Sequence, residues 1–201
     1  MQIKSLAQLR DIYPEPTGRA AIKVFKELEK YSRQFISLSP FCVVSTVDKE
    51  GNVDASPRGG QAGFVHILDA THLIIPDSKG NRRQDSHINI LATGAIGVLF
   101  FIPGVNETMR INGKATIHDD EDVLTLFARE KNPPKVFIKI AIDEIYMHCA
   151  KALVRSALWN NENQVPRSVL PTMGEIINAQ TGRDDPVERQ AEMEARHLNE
   201  L

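Results

Sequence analysis

The chain has 201 residues with a formal net charge of -2, and 42% of its residues are hydrophobic and 25% charged. This length fits one domain with helical extensions, and the near-average composition excludes wholesale disorder and fibrous classes. The small net charge argues against a general nucleic-acid coat, because such proteins carry a large basic excess.

The number of cysteines and the length of the apolar runs favour a particular cellular compartment. Cys42 and Cys149 are too few for a disulfide scaffold and neither belongs to a C-x-x-C pair, so a reducing environment is expected. The first residues lack the apolar core of a signal peptide, and the longest apolar run, residues 95–102, is far shorter than the ~20 residues that span a bilayer. We therefore expect a cytoplasmic protein whose partners include neither membrane nor nucleic acid.

The N-terminal part has a helical pattern. Apolar residues recur at four- and three-residue steps at Val24, Leu28, Tyr31 and Phe35, with Phe25 beside them. Charged residues occupy the other face, which predicts one amphipathic helix that packs on the rest of the protein. Residues 1–39 are accordingly taken as an N-terminal helical extension.

The middle of the chain has the pattern of strands. Apolar, β-branched runs separated by turn residues predict three hairpins over 41–56, 63–75 and 95–117, further strands at 136–142 and 145–149, and short helices at 81–91 and 120–129. Many strands joined by tight turns argue against a parallel βαβ sheet and favour a closed or partly closed antiparallel barrel. We place this domain at residues 40–159. Residues 160–201 form a C-terminal extension, irregular at first and then helical over 174–181 and 186–201.

A basic loop joins an apolar strand to the helix predicted at 81–91. Lys79, Arg82 and Arg83 lie in the loop and the first helical turn, and Gly80 permits close approach of the backbone. Cations there oppose the helix dipole, so three together indicate a bound anion such as phosphate. A solvated basic loop explains the residues equally well.

Two further segments each contain a basic residue that is a candidate for ligand binding. Arg58 follows Pro57 and precedes two glycines; alone it is an ordinary surface arginine, unless it converges with Arg82 and Arg83. Arg110 belongs to the polar face of a strand in which Gly113 indicates a bulge or a closely approaching ligand. The alternative is an ordinary exposed strand face.

The segment after the last strand carries spaced cations and the single tryptophan. Lys151, Arg155 and Trp159 are four residues apart and share a face if the segment is helical, where they could hold a flat anion. The alternative is a helix with one buried tryptophan. His148 and Cys149 have no second ligand cluster, so no metal is expected. Walker A, G-x-S-x-G, H-E-x-x-H and G-x-G-x-x-G signatures are absent from the sequence.

Taken in order, these segments resemble the pyridoxamine 5'-phosphate oxidase-like family of FMN-binding split barrels, and more closely its bacterial general flavoproteins than the vitamin-pathway oxidase. The resemblance covers residues 40–159. It is carried by Ser56-Pro-Arg58, Leu73-Ile-Ile-Pro-Asp77, Gly80-Asn-Arg-Arg83 leading to Asn89-Ile90, Thr108-Met-Arg-Ile-Asn-Gly-Lys-Ala115, and His148-Cys-Ala-Lys-Ala152 with Arg155 and Trp159. It implies a mainly β fold with flanking helices, a six-stranded antiparallel split barrel that forms a homodimer with FMN at the subunit interface.

The resemblance also implies a set of cofactor-binding residues. Those expected beside the flavin or its phosphate are Ser56, Arg58, Ile75, Pro76, Asn81, Arg82, Arg83 and Arg110, with Lys151, Arg155 and Trp159 approaching from the second subunit. Arg82 and Arg83 match the family's basic pair on the phosphate. Replacing both with Ala is expected to weaken FMN binding by several kcal/mol, since charge-assisted hydrogen bonds contribute roughly 1.5–3 kcal/mol each.

The implied activity is an FMN-dependent oxidoreductase that moves hydride or electrons between flavin N5 and a small molecule. No side chain is assigned as catalytic. The candidate proton donors are water and His66, and for His66 a structural strand histidine is the commoner case. The C-terminal part lacks the Arg-x-His element of authentic pyridoxamine phosphate oxidases, so synthesis of pyridoxal phosphate is expected to be absent or weak. The alternative is a non-catalytic storage or sensing barrel for flavin or another planar cofactor, such as a deazaflavin or haem.

Overall fold

The computed structural model of the protein describes residues 1–80 and 83–200. The α-helices in this part are α1 (Leu6–Ile12), α2 (Arg19–Ile22), α3 (Lys30–Leu38), α4 (Asp85–Thr93), α5 (Glu121–Leu124), α6 (Lys151–Ser156), α7 (Met173–Thr181) and α8 (Gln190–Glu200). The strands are β1 (Phe41–Val47), β2 (Val53–Gly59), β3 (His66–Ile67), β4 (His72–Pro76), β5 (Ala95–Phe101), β6 (Thr108–His118) and β7 (Phe137–His148). Short 3-10 turns follow α5 and α6.

All described strands form one antiparallel sheet in the order β2-β1-β5-β6-β7-β4-β3. The antiparallel, mainly β prediction and the three hairpins are therefore confirmed. The predicted six-stranded split barrel is corrected in its strand count, since the sheet has seven strands among the described residues. The closed form of the barrel is not found in the described part of the chain, because the strand order begins at β2 and ends at β3 without returning on itself. The shortest strand is the two-residue β3, which pairs only with β4.

The inner face of the sheet holds one continuous apolar core. Burial alternates along β1 and β5, as expected for strands with one covered face. Side chains from both halves of the sheet meet in this core, so the sheet must curl around it. Its members include Cys42, Val44, Leu73, Ile75, Val98, Phe100, Met109, Ile111, Ile138 and Ile140, joined by Ile36 of α3 and Ile90 of α4.

The first hairpin closes on a side-chain-capped turn. The Asp48 carboxylate accepts hydrogen bonds from the backbone N–H groups of Glu50 (2.9 Å) and Asn52 (2.8 Å), and Gly51 supplies a positive φ of 89°. An aspartate that binds its own turn in this way fixes the register of the strands on either side. Consequently Arg58 of β2 lies opposite Cys42 of β1.

A β-bulge divides the long β6–β7 ladder. The register shifts at Asn112 and Gly113, so that Asp143 has no partner on β6. A Cβ atom at Gly113 would lie 2.0 Å from the Ala141 carbonyl oxygen, which explains the glycine there. The bulge was one of the two sequence interpretations of Gly113, and it is confirmed.

Helix α4 lies on the inner face of the sheet against β1, β2, β5 and β6. Asn89 Nδ2 donates to Thr46 Oγ1 at 3.0 Å, and Ser86 Oγ donates to Asp54 Oδ2 at 2.7 Å. These bonds hold the start of α4 beside the edge strand β2.

The single helix predicted over Val24 to Phe35 is wrong in its first half. Phe25 instead forms an isolated bridge with Ile145 of β7, with its N–H 3.0 Å from the Ile145 carbonyl oxygen. The helix α3 begins only after Glu29, whose carboxylate accepts from the N–H groups of Tyr31 and Ser32, both at 2.7 Å. Pairing with the sheet outweighed the helical periodicity here.

Other boundaries also differ from the prediction. Residues 136–149 form one strand rather than two, because β7 continues through its bulge. The second central helix is shorter than predicted and ends in a 3-10 turn that buries Phe127 against Phe137 and Ile74. No described helix has the length and apolar character required to cross a membrane.

Candidate functional site

The start of α4 meets β2 and the end of β4 in a polar cluster, which we call the inner cluster and define as Arg58, Asp77 and His87. Arg58 projects from β2 toward α4 and is half-buried. Its Nη1 donates to Ser56 Oγ at 2.5 Å and to the Pro57 carbonyl at 2.9 Å. Its Nη2 is buried and has no hydrogen-bond partner within the described chain.

His87 is the most buried ionisable side chain of the inner cluster, with 6% of its surface exposed. It lies in the first turn of α4, with Nε2 3.6 Å from Asp77 Oδ1. Neither ring nitrogen forms a hydrogen bond with a described residue. Burial, the largest effect, lowers the pKa of His87; the Asp77 carboxylate opposes this, and the Arg58 guanidinium adds to it.

A buried nitrogen without a partner is costly, by about 1–3 kcal/mol for a neutral group and more for a charged one. Here Arg58 and His87 supply such nitrogens at one place. The first N–H groups of a helix also lack intrahelical partners and favour negative charge. The inner cluster therefore has the donors and the charge to hold a compact anion.

The thiol next to Arg58 is chemically quiet. Cys42 is fully buried, and this burial raises its pKa to about 12 despite the opposing charge of Arg58. A thiol with such a pKa stays protonated at neutral pH and does not act as a nucleophile.

The basic loop before α4 differs from the prediction. The helix begins at Asp85, so Arg83 precedes it rather than occupying its first turn. Arg83 Nε lies 2.8 Å from Asp85 Oδ2, and this hydrogen-bonded pairing raises the pKa of Arg83. Asn81 and Arg82 lie outside the described residues.

A cavity of about 830 Å³ lies next to the inner cluster in the chain, although Arg58, Asp77 and His87 do not line it. Its walls include Gly59 and Ser78, which directly follow Arg58 and Asp77, and also Lys79. The C-terminal helix forms another wall, since Lys131 Nζ donates to the Asn199 carbonyl at 2.7 Å. The volume is in the range of cofactor sites.

A second polar cluster lies on the outer face of the sheet. We call it the outer cluster, and it consists of Lys23, Arg110, Tyr146 and His148. The Arg110 guanidinium lies over the Tyr146 ring at 5.1 Å from its centre and donates to the phenol oxygen. Lys23 Nζ lies 4.9 Å from the same ring centre and donates to the Met147 carbonyl at 3.1 Å. Both cations therefore contact the same aromatic ring.

The surroundings of His148 in the outer cluster lower its pKa. Burial is the main cause that lowers the pKa of His148, with Arg110 and Lys23 contributing in the same direction. Beside it, Asn112 Nδ2 donates to Glu144 Oε1 at 2.5 Å. This half-exposed face combines positive charge, an aromatic ring and amide groups, which suits contact with a flat polar ring.

The two clusters face opposite sides of the sheet. Arg58 pairs with Cys42, Cys42 with Phe100, and Phe100 with Met109, so these side chains point to one side. Arg110 is the next residue after Met109 and points to the other. One chain therefore does not bring Arg58 and Arg110 to the same surface.

The remaining predicted site residues are spread further. Ile75 and Pro76 are buried at the end of β4 opposite β7, with Ile75 in the core. They present no surface to a ligand in the single chain.

The Lys151 and Arg155 side chains lie on α6, which ends at Ser156, with Ala157 in the left-handed region at φ 47°. The helical face shared with Trp159 is therefore incorrect. Trp159 lies beyond the helix, and its Nε1 donates to the Val105 carbonyl in the β5–β6 connection at 2.9 Å.

Sequence reasoning missed His87, Asp77, Lys23 and Tyr146. His87 was overlooked because the helix was expected to begin four residues earlier, which placed the arginines in its first turn. Tyr146 could have been found by pairing the polar faces of the two long strands, since it lies opposite Arg110. His66 packs edge-on against Phe127, with ring centres 4.8 Å apart. In residues 1–80 and 83–200, no group of three or more histidine, cysteine or acidic side chains is placed to hold a metal.

Comparison with protein families decides the classification. The family model for pyridoxamine 5'-phosphate oxidase matches residues 28–149, which is more than half of the chain. This protein belongs to that family. The match spans every strand of the sheet and both clusters apart from Lys23. The family expected from the sequence motifs is therefore confirmed. No curated protein matches the chain.

Solved structures support the fold. HupZ from Group A Streptococcus, as a single-residue variant, matches 60% of this chain and 98% of its own at 20% identity and a TM-score of 0.51. A Lactobacillus delbrueckii protein, provisionally named a pyridoxamine 5'-phosphate oxidase, matches 62% of this chain and 99% of its own at 19% identity and a TM-score of 0.50. At such identities the likeness concerns the fold alone.

Proposed function

We propose that this protein is an FMN-binding flavoprotein and an oxidoreductase that exchanges hydride or electrons with a small-molecule substrate. The observation that carries the proposal is the inner cluster within a family member: Arg58 Nη2 is buried without a partner in the described chain, beside the first backbone N–H groups of α4. A phosphate group supplies the acceptor oxygens and negative charge that these donors lack.

The residues that would hold the cofactor follow from this fit. Arg58, oriented by Ser56, would bind the phosphate together with the first turn of α4, and Arg82 and Arg83 would complete the grip from the adjoining loop. Arg is suited to this task because its planar guanidinium binds phosphate oxygens in pairs. The bound flavin would supply the redox chemistry through its N5 position. The chain's own task is to orient the ring and to exclude water around it.

We further propose that the working unit is a homodimer with the cofactor between subunits. Arg58 and Arg110 point to opposite sides of the sheet, so a ligand that uses both would take one from each chain. The outer face also carries apolar side chains that remain accessible in the single chain. Among them Phe41 is exposed, and Val43 and Leu99 are half-buried. In this arrangement Lys151, Arg155 and Trp159 would approach the ring from the second subunit.

The proposal is tested by the absorbance spectrum of the purified protein, its affinity for FMN and its oligomeric state. Purified protein should show flavin absorbance bands, bind FMN more tightly than riboflavin, and sediment as a dimer. A colourless monomer without affinity for FMN would refute the proposal, and a Soret band would indicate haem instead.

Catalysis is tested separately from binding. The flavin-loaded protein should be reduced by NADH, NADPH or another two-electron donor, and a substrate screen then follows its reoxidation. We expect little or no pyridoxal phosphate from pyridoxine or pyridoxamine phosphate. A protein that holds FMN but is reduced by no donor would support the non-catalytic storage or sensing alternative.

A further inference from the structure

His87 has a chemical position that a packed core histidine does not have. Only 6% of the His87 surface is exposed, yet both ring nitrogens lack a hydrogen-bond partner among the described residues. Asp77 Oδ1 is the nearest acid, at 3.6 Å from Nε2, which is longer than a hydrogen bond. A core role would normally satisfy at least one of these nitrogens.

The groups around His87 come from each neighbouring element. Two of them act on the ring directly, the Asp77 carboxylate after β4 and the Arg58 guanidinium on β2. The other ionisable side chains on the packed elements are Asp54 on β2, Asp85 and Arg83 at the start of α4, and the protonated Cys42 thiol on β1, which lies beside Arg58. Asp54 is held by Ser86, and Asp85 pairs with Arg83. The imidazole is therefore left facing one carboxylate, Asp77, and one guanidinium, Arg58.

We propose that His87 is a direct ligand of the phosphate group and binds it as the imidazolium, so that binding of a phosphorylated ligand takes up a proton from solvent at this side chain. The inference rests on the proposed function and adds a residue and a proton to its site. A buried dianion beside His87 favours the charged ring, and the protonated ring has two N–H donors. One of these N–H groups can face Asp77 while the other is available to a phosphate oxygen.

Proton uptake makes the affinity depend on pH. With the site empty, burial and Arg58 keep the ring neutral at pH 7, and a bound phosphate reverses that balance. Between the pKa of the free ring and that of the bound ring, the dissociation constant should rise by up to about tenfold per pH unit as the pH increases. The second ionisation of the phosphate, near pKa 6, adds its own titration at the acidic end.

The experiment compares FMN binding by the full-length protein and His87→Gln over a range of about pH 6.5 to about 8.5. Flavin fluorescence gives the dissociation constant, and calorimetry in two buffers of different ionisation enthalpy gives the protons taken up. The glutamine retains a neutral donor but cannot be charged, so its pH slope should be flatter and its proton uptake lower than in the unmodified protein. The matched control is His118→Gln, which removes a histidine paired with Asp120 outside both clusters and should keep the original slope.

A second measurement does not require flavin. Inorganic phosphate is added to the unmodified protein while the imidazole nitrogen resonances are followed by NMR, and the His87 signal is assigned from the backbone resonances of the same protein. We expect the His87 pKa to rise with phosphate, and Asp77→Asn to lower it. This NMR titration uses the unmodified protein, so it tests the inference even if the glutamine variant fails to fold.

The outcomes separate the two proposals. If FMN binds but His87→Gln matches the unmodified protein in slope and proton uptake, the His87 inference is wrong and the flavoprotein proposal stands. If FMN does not bind but phosphate raises the His87 pKa, the flavoprotein proposal is wrong and His87 remains an anion ligand. If phosphate leaves the His87 resonances unchanged, the inference is overturned.

Discussion

The inner and outer clusters contain similar side chains but satisfy them in different ways. In the inner cluster, Arg58 and His87 stand beside a helix start with buried nitrogens that lack partners. In the outer cluster, Arg110 and Lys23 lie on the ring of Tyr146. Arg110 also has one buried unpartnered nitrogen, Nε, but its charge already has an aromatic and a phenolic contact. The inner cluster therefore suits a compact anion, and the outer cluster suits a flat ring or a protein surface.

The largest expected effect is a loss of stability at the β6–β7 bulge, whose two strands carry Arg110 and Tyr146 of the outer cluster. Gly113→Ala places a Cβ atom 2.0 Å from the Ala141 carbonyl oxygen, so the bulge must move. We expect the free energy of unfolding in urea to fall by roughly 3 kcal/mol, near the upper end of overpacking effects. Gly59→Ala is the control, because its nearest contact would be an ordinary 3.5 Å and its stability should change little. Equal stabilities of the two variants would contradict the assigned strain.

Arginine substitutions test the inner cluster against the outer one. Arg58→Ala should raise the dissociation constant of FMN by about 100-fold, because it removes buried charge-assisted hydrogen bonds. Arg110→Ala should raise it by only about tenfold, since Arg110 is partly satisfied by Tyr146. The control is Arg183→Ala in the C-terminal extension, where the exposed arginine pairs with Asp185. A larger loss for Arg110→Ala than for Arg58→Ala would reverse the roles given to the clusters.

The two histidines should destabilise the fold in mild acid. The pKa values of His87 and His148 are both lowered in the folded protein, so the unfolded chain binds more protons as the pH falls below about 6.5. Stability is therefore full above that pH and declines below it, until the folded-state pKa values are passed. Urea midpoints between about pH 8 and about pH 5.5 measure this decline.

Added FMN should separate the contributions of His87 and His148 to the urea midpoints. His148→Gln should remove part of the acid loss with or without FMN, whereas FMN should offset only the part that belongs to His87. If FMN abolished the contribution of His148 instead, the flavin phosphate would have to lie at the outer cluster.

The smallest expected effect concerns Trp159, the single tryptophan of the chain. Trp159→Phe removes the indole hydrogen bond to Val105 and should lower the free energy of unfolding by about 1 kcal/mol. If Trp159 approaches the ring in the dimer, bound FMN should quench its fluorescence strongly and the substitution should weaken FMN binding a few-fold. Unquenched emission from the FMN-loaded protein would remove Trp159 from the site.

Several features of the fold and site could be predicted from the sequence. The β-branched runs and turn residues predicted the hairpins, since alternation and turn chemistry are local properties. Gly113 indicated a bulge for the same reason. The helix over Val24 to Phe35 failed because Phe25 pairs with Ile145, a contact 120 residues away in sequence that local periodicity does not report.

The amino-acid sequence alone determined the family, the antiparallel hairpins and an inventory of scattered cations. Tertiary structure decided which of those cations meet: Arg58 joins His87 and Asp77, whereas Arg110 turns away to Tyr146. The physical reason is that adjacent strand residues point to opposite sides of a sheet. A side chain's surroundings therefore depend on register and on the placement of α4, and both are set by contacts between residues far apart in the chain.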